Sequence, residues 1–171
     1  MADYIDNILR IKCRNTKLRN HIKLLIFTEN DRNEPEFTMK KLLPMPEGFS
    51  YSNWWEKYGY NWSYAIWGTK WIRGSNISES GDTISVSYDT PWTPNHLWVE
   101  ALCRCISEMI NSHDSEVKNE ISVIHIYYDF HEDLGDVVKW TPDTGFNITE
   151  NVNEDYLIKN NLLWTSNPGN H

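Results

Sequence analysis

The segment whose residues are best suited to binding a ligand is Trp67–Trp71, which reads Trp-Gly-Thr-Lys-Trp. Gly68 allows a backbone turn that other residues adopt only at a cost in free energy. The two indoles would then flank a turn that carries Thr69 and Lys70, an arrangement typical of a small-ligand pocket with aromatic walls. The alternative is that the indoles cover one edge of a sheet and that Lys70 points to water. The sequence leaves both interpretations open.

A second candidate site is the acidic run at residues 129–136, which reads Asp-Phe-His-Glu-Asp-Leu-Gly-Asp. Two close carboxylates can serve acid–base catalysis when their surroundings move their pKa values apart. An acidic strand end is more often a solvated surface. We therefore expect a contact surface for a basic protein partner rather than a catalytic site, formed by Tyr127, Asp129, Glu132, Asp133 and Asp136.

Other signatures of catalysis or metal binding are missing from the sequence. His125 and His131 match no spacing of metal ligands. Cys103 and Cys105 would lie about 200° apart around a helix, too far to share one ion, and a buried Cys105 thiol would be inert. Glycine-rich phosphate loops and the GxSxG nucleophile motif are also lacking. The sequence therefore predicts no enzyme, no metal and no cofactor.

The 171 residues carry a net charge of −8 that is unevenly distributed. Residues 1–25 hold six Lys or Arg against two Asp, whereas residues 114–171 hold eleven acids against three Lys. Affinity for nucleic acids depends on neutralising phosphates, so the acidic balance predicts no direct DNA or RNA binding. We expect a protein partner instead, with a basic nucleic-acid-binding protein as one candidate.

The location that the sequence predicts is cytoplasmic, without membrane contact. No apolar run approaches the roughly 18–20 residues of a membrane-spanning helix. The N-terminus carries acids where a secretory signal has basic residues. The three cysteines are an odd number, and Cys13 lies far along the sequence from Cys103 and Cys105, so they form no disulfide framework.

These candidate residues must be positioned by an α+β fold. Alternating polar and apolar residues predict four strands of one antiparallel sheet, and apolar stripes at helical spacing predict two helices on one of its faces. The second helix would be capped by Thr93, with Pro94 at its first position. A loop is expected at 74–82, and a further hairpin at 136–140 and 146–149. The strands are expected near 7–13, 37–43, 83–88 and 122–130, and the helices near 15–28 and 94–111.

The order of these elements predicts a ferredoxin-like domain over residues 1–150, with 151–171 as a C-terminal extension. An aromatic-rich insertion at 44–73 would separate the second and third core strands. Its segment 53–71 has eight aromatic side chains in nineteen residues, five of them tryptophan.

Four short motifs have a further implication: KLLPMP at 41–46, WGTKW at 67–71, DTPWTP at 89–94 and IYYD at 126–129. Together, over roughly residues 5–150, they resemble the YubB/Api92-like ferredoxin-like family. The resemblance implies a small protein of phages, plasmids and other mobile elements, from a family without an assigned activity. It also implies that Trp92 packs near the Trp67–Trp71 turn. Ile72 stands where the family usually has an aspartate, so no role for that acid carries over.

Three hypotheses on function follow. The first is a non-catalytic protein-binding accessory factor of a phage or other mobile element, in its sharpest form an acidic anti-defence inhibitor of a host nuclease. The second is a small-ligand or nucleotide-binding module that uses the Trp67–Trp71 pocket. The third is an enzyme whose site the sequence does not reveal. RNA binding on the open sheet face is a weaker alternative, which needs aromatic side chains there to stack on bases. On that face the first strand would offer Ile8, Arg10 and Lys12, and the fourth would offer His125 and Tyr127, but the sequence contains no RNP-type run.

Overall fold

The computed structural model describes residues 4–48, 59–111 and 120–163. Its strands are β1 (Tyr4–Cys13), β2 (Phe27–Glu29), β3 (Pro35–Phe37), β4 (Arg73–Ser80), β5 (Thr83–Pro91), β6 (Ile121–Asp129), β7 (Leu134–Thr141) and β8 (Gly145–Val152). Its helices are α1 (Thr16–Ile26), α2 (Gly59–Trp67), α3 (His96–Asn111) and α4 (Glu154–Lys159). No helix among these residues combines the length and apolar character that a membrane crossing requires.

Six strands form one antiparallel sheet in the order β4-β5-β1-β6-β7-β8, and β2 pairs with β3 in a separate small sheet. The α+β class is therefore confirmed. The predicted strands at 7–13, 83–88 and 122–130 are confirmed as parts of β1, β5 and β6. The predicted hairpin near 136–149 is confirmed as β7 and β8.

One face of the sheet carries both long helices. Leu9 and Ile11 of β1 are fully buried and belong to the same core cluster as Ile22 of α1 and Leu102 of α3. The Asn15 side chain caps α1 by accepting a hydrogen bond from the Leu18 amide at 2.9 Å. Alternation in β1 sends every second side chain to the opposite face.

The opposite face is partly covered by the segment after β8. Leu157 and Leu162 are buried against Ile8, Ile126 and other side chains of this face. The guanidinium of Arg10 donates to the Asn161 carbonyl at 2.8 Å and to the Leu163 carbonyl at 3.2 Å. The first part of the predicted extension 151–171 thus packs on the sheet, and residues 164–171 lie outside the described residues.

The prediction of a second core strand at 37–43 was wrong. Only Phe37 of that segment is in a strand, in β3, and the chain then turns so that Met39 packs over α3. The Met39 carbonyl accepts from the Trp98 indole at 3.0 Å, which holds the turn in place. The strand next to β5 is β4 instead, where a loop was predicted at 74–82.

This correction also moves the aromatic insertion. The insertion at 44–73 leads into β4, so it precedes the second strand of the six-stranded sheet rather than following it. Residues 49–58 of the insertion lie outside the described residues. Its later part contains α2, which packs near α3.

The predicted cap of the second helix was wrong as well. Helix α3 begins at His96, and the Thr93 hydroxyl donates to the Gly68 carbonyl at 2.8 Å. Asn95, just before the helix, is fully buried and accepts from the Tyr88 hydroxyl at 2.7 Å. Thr93 therefore ties the aromatic turn to the start of α3, so that the insertion is fastened to the domain.

Candidate functional site

A groove of about 460 Å³ lies on the open face, where β1, β5 and β6 meet the start of β4. Its walls combine charged and apolar groups, as small-molecule and side-chain pockets commonly do. Its charged and large apolar or aromatic lining residues include Asp6, Ile8, Arg73, Asp89, Tyr128 and Phe130.

Two carboxylates face each other across the groove. Asp6 of β1 stands directly opposite Asp89 of β5 in the strand register, and like charges in this position are destabilising. Arg73 compensates Asp89, with Nη2 3.1 Å from Oδ2. The guanidinium of Arg73 also lies 3.8 Å from the centre of the Tyr4 ring. One of the two acids is thus paired within the protein.

The other acid, Asp6, is not paired in this way. Among the described residues its carboxylate makes no hydrogen bond or ion pair. The pKa of Asp6 is raised to about 6, first because burial disfavours the charged form, then by the negative charges of Asp89 and Asp129; Arg73 opposes the shift. Such a carboxylate costs free energy in the isolated protein, and a bound cation would remove that cost.

A β-bulge lets Arg73 reach the groove. The register of β4 against β5 shifts between Arg73 and Asn76, and Gly74 in this interval has φ +62°. A glycine with positive φ is the usual first residue of one bulge type, and bulges re-aim neighbouring side chains. The bulge therefore directs the Arg73 side chain over the open face, onto Asp89.

Replacing Asp6 by asparagine should stabilise the protein at neutral pH. A folded-state pKa of about 6 against 3.8 unfolded means that ionised Asp6 destabilises the fold above pH 6. The penalty vanishes below pH 3.8, where the carboxyl is protonated in both states. After discounting for solvent screening, we expect Asp6→Asn to gain about 1 kcal/mol at pH 7.5 and nothing near pH 4.

Variant and wild type must be compared at each pH, because His125 changes the stability with pH in the opposite direction to Asp6. Burial, followed by the nearby His96, lowers the pKa of His125 to about 3, so its neutral form stabilises the fold less as pH falls below 6.5. Urea unfolding of both proteins between pH 4 and 7.5 isolates the Asp6 contribution. An equal difference in stability at both pH values would contradict the assignment.

Two carboxylates of the predicted acidic surface, Asp129 and Asp133, bond to groups in or near the turn after β6. Asp129 accepts from the amides of His131 and Glu132 at 2.8 and 3.3 Å, which closes the turn after β6. Asp133 accepts from the Tyr128 hydroxyl and, at 3.3 Å, from the Glu154 amide at the start of α4. These bonds give both acids a structural role in addition to their charge.

The remaining members of that surface lie on the helix side of the sheet or in the turn after β6. Asp136 accepts from the Tyr127 hydroxyl at 2.7 Å and from the Asn151 amide at 2.9 Å. Tyr127 alternates with Tyr128 in β6, so it lies on the side of the sheet that carries the helices. Glu132 is exposed in the turn. Of the predicted acids, Asp129 has an electrostatic effect on the groove, because its negative charge raises the pKa of Asp6.

The aromatic turn is more buried than a pocket wall requires. Trp67 is only 2% exposed, and its indole donates to the Leu43 carbonyl at 3.0 Å. Its ring meets that of Trp62 edge to face at 5.0 Å. Thr69 is fully buried and its hydroxyl donates to the Pro91 carbonyl at 3.4 Å. The burial of Trp67 and Thr69 therefore favours the interpretation in which the turn covers the protein core over the one in which it lines a ligand pocket.

Lys70, Trp71 and Trp92 form the accessible part of the turn. The ammonium of Lys70 lies 3.7 Å from the centre of the Trp92 ring, with Trp71 and Tyr64 at 5.8 and 5.9 Å. Trp92 thus packs beside the turn, and it is 45% exposed. Its φ of +60° and the bond from the Thr93 amide to the Pro91 carbonyl, at 2.8 Å, form a strained γ-turn.

Gly68→Ala should lower stability by about 1–2 kcal/mol. Gly68 has the predicted positive φ, at +85°, and an added Cβ would lie 3.1 Å from both His96 Nδ1 and the Pro94 carbonyl oxygen. Gly74→Ala is the matched control, because that glycine has φ +62° but no atom within 4 Å of the added Cβ. Equal losses in urea unfolding would show that crowding against α3 contributes nothing.

Of the residues considered for RNA binding, Ile8, Arg10 and Lys12 lie on the open face as expected, whereas His125 and Tyr127 lie on the other face. His125 is buried on the helix side, with Nε2 3.1 Å from the Asn7 side-chain oxygen. The Asn7 amide donates to Thr90 and to the Ile5 carbonyl, so its oxygen is the acceptor and His125 carries its proton on Nε2. Tyr127 shares that side, and Arg10 bonds the C-terminal segment. The expectation of stacking side chains at 125 and 127 on the open face was wrong.

The thiols and the candidate ligands add no further site. Cys103 is buried, whereas Cys105, which was expected to be buried, is only partly so, and burial raises the pKa of both thiols. Across residues 4–48, 59–111 and 120–163, no group of three or more His, Cys, Asp or Glu side chains is arranged to hold a metal ion.

No protein-family model matches the sequence, and no curated protein matches it. Among solved structures, the chain is similar to the crystal structure of a protein api92 from Yersinia pseudotuberculosis, with a TM-score of 0.45 and 10% sequence identity. The similarity covers 70% of this chain and 42% of that protein, so the chain spans less than half the length of the relative.

Proposed function

We propose that this protein is a non-catalytic, protein-binding accessory factor that engages a basic partner through the open-face groove. The observation that carries the proposal is the Asp6 carboxylate, half-buried in a groove of mixed charged and apolar groups and without a counter-charge of its own in the described structure. A group that destabilises the free protein is typical of a binding site.

The rim of the groove supports a protein as the partner. Phe130, which lines the groove, is 54% exposed. Apolar side chains beside a charged groove supply the anchors on which interfaces depend. The acidic groups would attract a basic surface and accelerate its association at low salt.

A nucleic-acid-binding protein is the partner class that this charge fits best. Its phosphate-binding channel is basic, and a net charge of −8 on a small domain would compete with nucleic acid for that channel. Occupation of the channel would inhibit the partner without catalysis. An acidic inhibitor of a defence nuclease is the sharpest form of this proposal, and it rests on charge and on the resemblance stated above.

A capture experiment with matched phenylalanine variants tests the proposal. Immobilised wild-type protein is exposed to cell lysate beside Phe130→Ala and Phe146→Ala, since Phe146 is also exposed, at 43%, but lies on β8. We expect basic proteins to be retained by the wild type and by Phe146→Ala, and to be lost with Phe130→Ala and at 1 M salt, where the screening length falls to about 3 Å. Equal retention by both variants would contradict the role of the groove.

We also infer that the domain is an elaborated ferredoxin-like fold. The strand order β4-β5-β1-β6, with α1 after β1 and α3 between β5 and β6, supports this inference. A β-α-β-β-α-β chain has these neighbours. In this assignment β7 and β8 extend the sheet, and the segment between α1 and β4 is an insertion into the first half. An experimental structure with another strand order would overturn it.

The second candidate function, nucleotide binding, has one observation in its favour. A groove of about 410 Å³ is lined by Lys40, Lys41, Trp67 and Trp71, which combine positive charge with indole rings. Phosphates pair with lysine, and bases stack on aromatic rings. A thermal-shift screen with nucleotides tests this function: stabilisation lost in Trp71→Ala supports it, and no shift with any nucleotide excludes it.

A further inference from the structure

The unpaired carboxylate of Asp6 has a specific chemical requirement. It lies at the end of β1, opposite Asp89 on one side and Tyr128 on the other. Arg73 is committed to Asp89 at 3.1 Å and to the Tyr4 ring. A ligand that satisfies Asp6 must therefore bring its own positive charge into the groove.

Arg73 shows what kind of cation this part of the fold accommodates. Its guanidinium is held by a carboxylate and an aromatic ring, the combination that arginine uses most effectively. The β6 side of the groove offers the same two partners in Asp6 and Phe130, and the Phe130 ring is held edge to face against Tyr128 at 4.8 Å. Within the described part of the chain, the site on the β6 side has room for an incoming side chain.

We propose that the groove receives one arginine side chain from a basic segment of the partner protein, with its guanidinium on Asp6 and Phe130 and its stem along Ile8 and Ile126. This inference rests on the proposed function and specifies the partner's anchor. The volume of about 460 Å³ holds one such side chain with part of its flanking backbone. Two apolar walls and one free carboxylate complement an arginine along its whole length.

Complementarity of charge favours a single cationic anchor rather than a neutral one. The charged groups around Asp6 are Asp89 from β5, Arg73 from β4 and Asp129 from β6, so acids outnumber bases at the site. An incoming guanidinium neutralises part of this excess. It also removes the repulsion that Asp6 experiences from Asp89 and Asp129.

The test uses a fluorescein-labelled octa-arginine peptide and fluorescence anisotropy. The variant Asp6→Asn should bind this peptide about tenfold more weakly than the wild type at pH 7.5. Asp143→Asn is the matched control, because it removes the same charge from the exposed turn between β7 and β8. We expect the control to change the affinity less than about twofold, since a distant surface charge is largely screened.

The pH dependence adds a readout that a diffuse acidic surface would not produce. Wild-type affinity should fall between pH 7.5 and 5.0 because Asp6 takes up a proton near pH 6, whereas arginine keeps its charge. The Asp6→Asn variant retains every other titrating group, so any fall that it shows measures those groups alone. Octa-lysine should bind more weakly than octa-arginine, because an ammonium cannot form the two parallel bonds of a guanidinium.

The outcomes separate this inference from the proposed function. Equal weakening by Asp6→Asn and Asp143→Asn would overturn the arginine anchor and leave diffuse attraction as the cause. If Phe130→Ala abolishes protein capture while Asp6→Asn leaves both capture and peptide affinity unchanged, the protein-binding groove stands and the anchor is wrong. If neither variant changes capture, both proposals fail. Because Asp6→Asn is expected to be more stable than the wild type at pH 7.5, a loss of binding is not attributable to unfolding.

Discussion

Trp67→Ala should destabilise the protein by about 3–5 kcal/mol, a large part of the stability of a domain of this size. The ring is almost fully buried, so its removal would leave a cavity beside Trp62. The Leu43 carbonyl would also lose the indole donor that now lies at 3.0 Å. Urea unfolding followed by circular dichroism measures the loss.

Two further substitutions separate the causes of this loss. Trp67→Phe keeps most of the apolar surface but removes the N–H, so it should cost about 1–3 kcal/mol, the penalty of an unsatisfied buried carbonyl. Trp92→Ala removes a ring that is 45% exposed and should cost less than Trp67→Ala. A cost for Trp67→Ala no larger than that for Trp92→Ala would contradict the covering role of Trp67.

Gly135→Ala should destabilise the protein by about 3 kcal/mol or more. A Cβ added at this glycine would lie 2.3 Å from the Tyr127 carbonyl oxygen, 2.8 Å from Tyr128 Cδ2 and 2.9 Å from Tyr128 Cα. Two of these atoms belong to the backbone of β6, which cannot move without breaking its pairing with β1. The β6–β7 pair would have to separate locally, beside the groove.

Gly145→Ala is the control for this prediction. Gly145 begins the next strand and has φ +65°, but nothing lies within 4 Å of its added Cβ. The strain of positive φ alone should cost roughly 1 kcal/mol. If Gly135→Ala costs no more than Gly145→Ala in the same unfolding assay, the close approach of β7 to β6 is not as the structure has it.

The sequence predicted best those strands that bury one face. In β1, β5 and β6, apolar side chains alternate with polar ones because one side contacts the helices, so the period of two is visible. Strand β4 is an edge strand whose residues are exposed on both sides except Ile77. It has no apolar period, and its composition of Gly, Ser and Asn is that of a loop. Its turn, Gly81-Asp82, joins it directly to β5.

The candidate site was the least predictable part. Asp6 and Asp89 are opposite each other only because β1 pairs with β5 in one particular register, and a sequence does not display a pairing between residues so far apart. The positive φ of Gly68 was predictable, because glycine adopts this conformation at the lowest cost in a turn. The burial of Trp67 was not, since it depends on the turn of residues 38–43 over α3.

The acidic run at 129–136 illustrates a different limit. Its charge was apparent, but the assignment of its carboxylates to local bonds required the geometry of the β6–β7 turn. Reversal of the charge at Asp133 or Asp136 would disturb these local bonds as well as any partner contact. The groove variants Asp6→Asn and Phe130→Ala are therefore better probes of binding than substitutions in the acidic run.

Chemical-shift mapping of the backbone amides during titration with octa-arginine tests the proposed binding groove most directly. We predict that the perturbed amides cluster around Asp6, Asp89 and Phe130, with Gly74 of the β4 bulge, and that Asp6→Asn removes most of the change. Perturbations centred on Lys70 and Trp92, or spread evenly over the acidic surface, would contradict a binding site in the open-face groove.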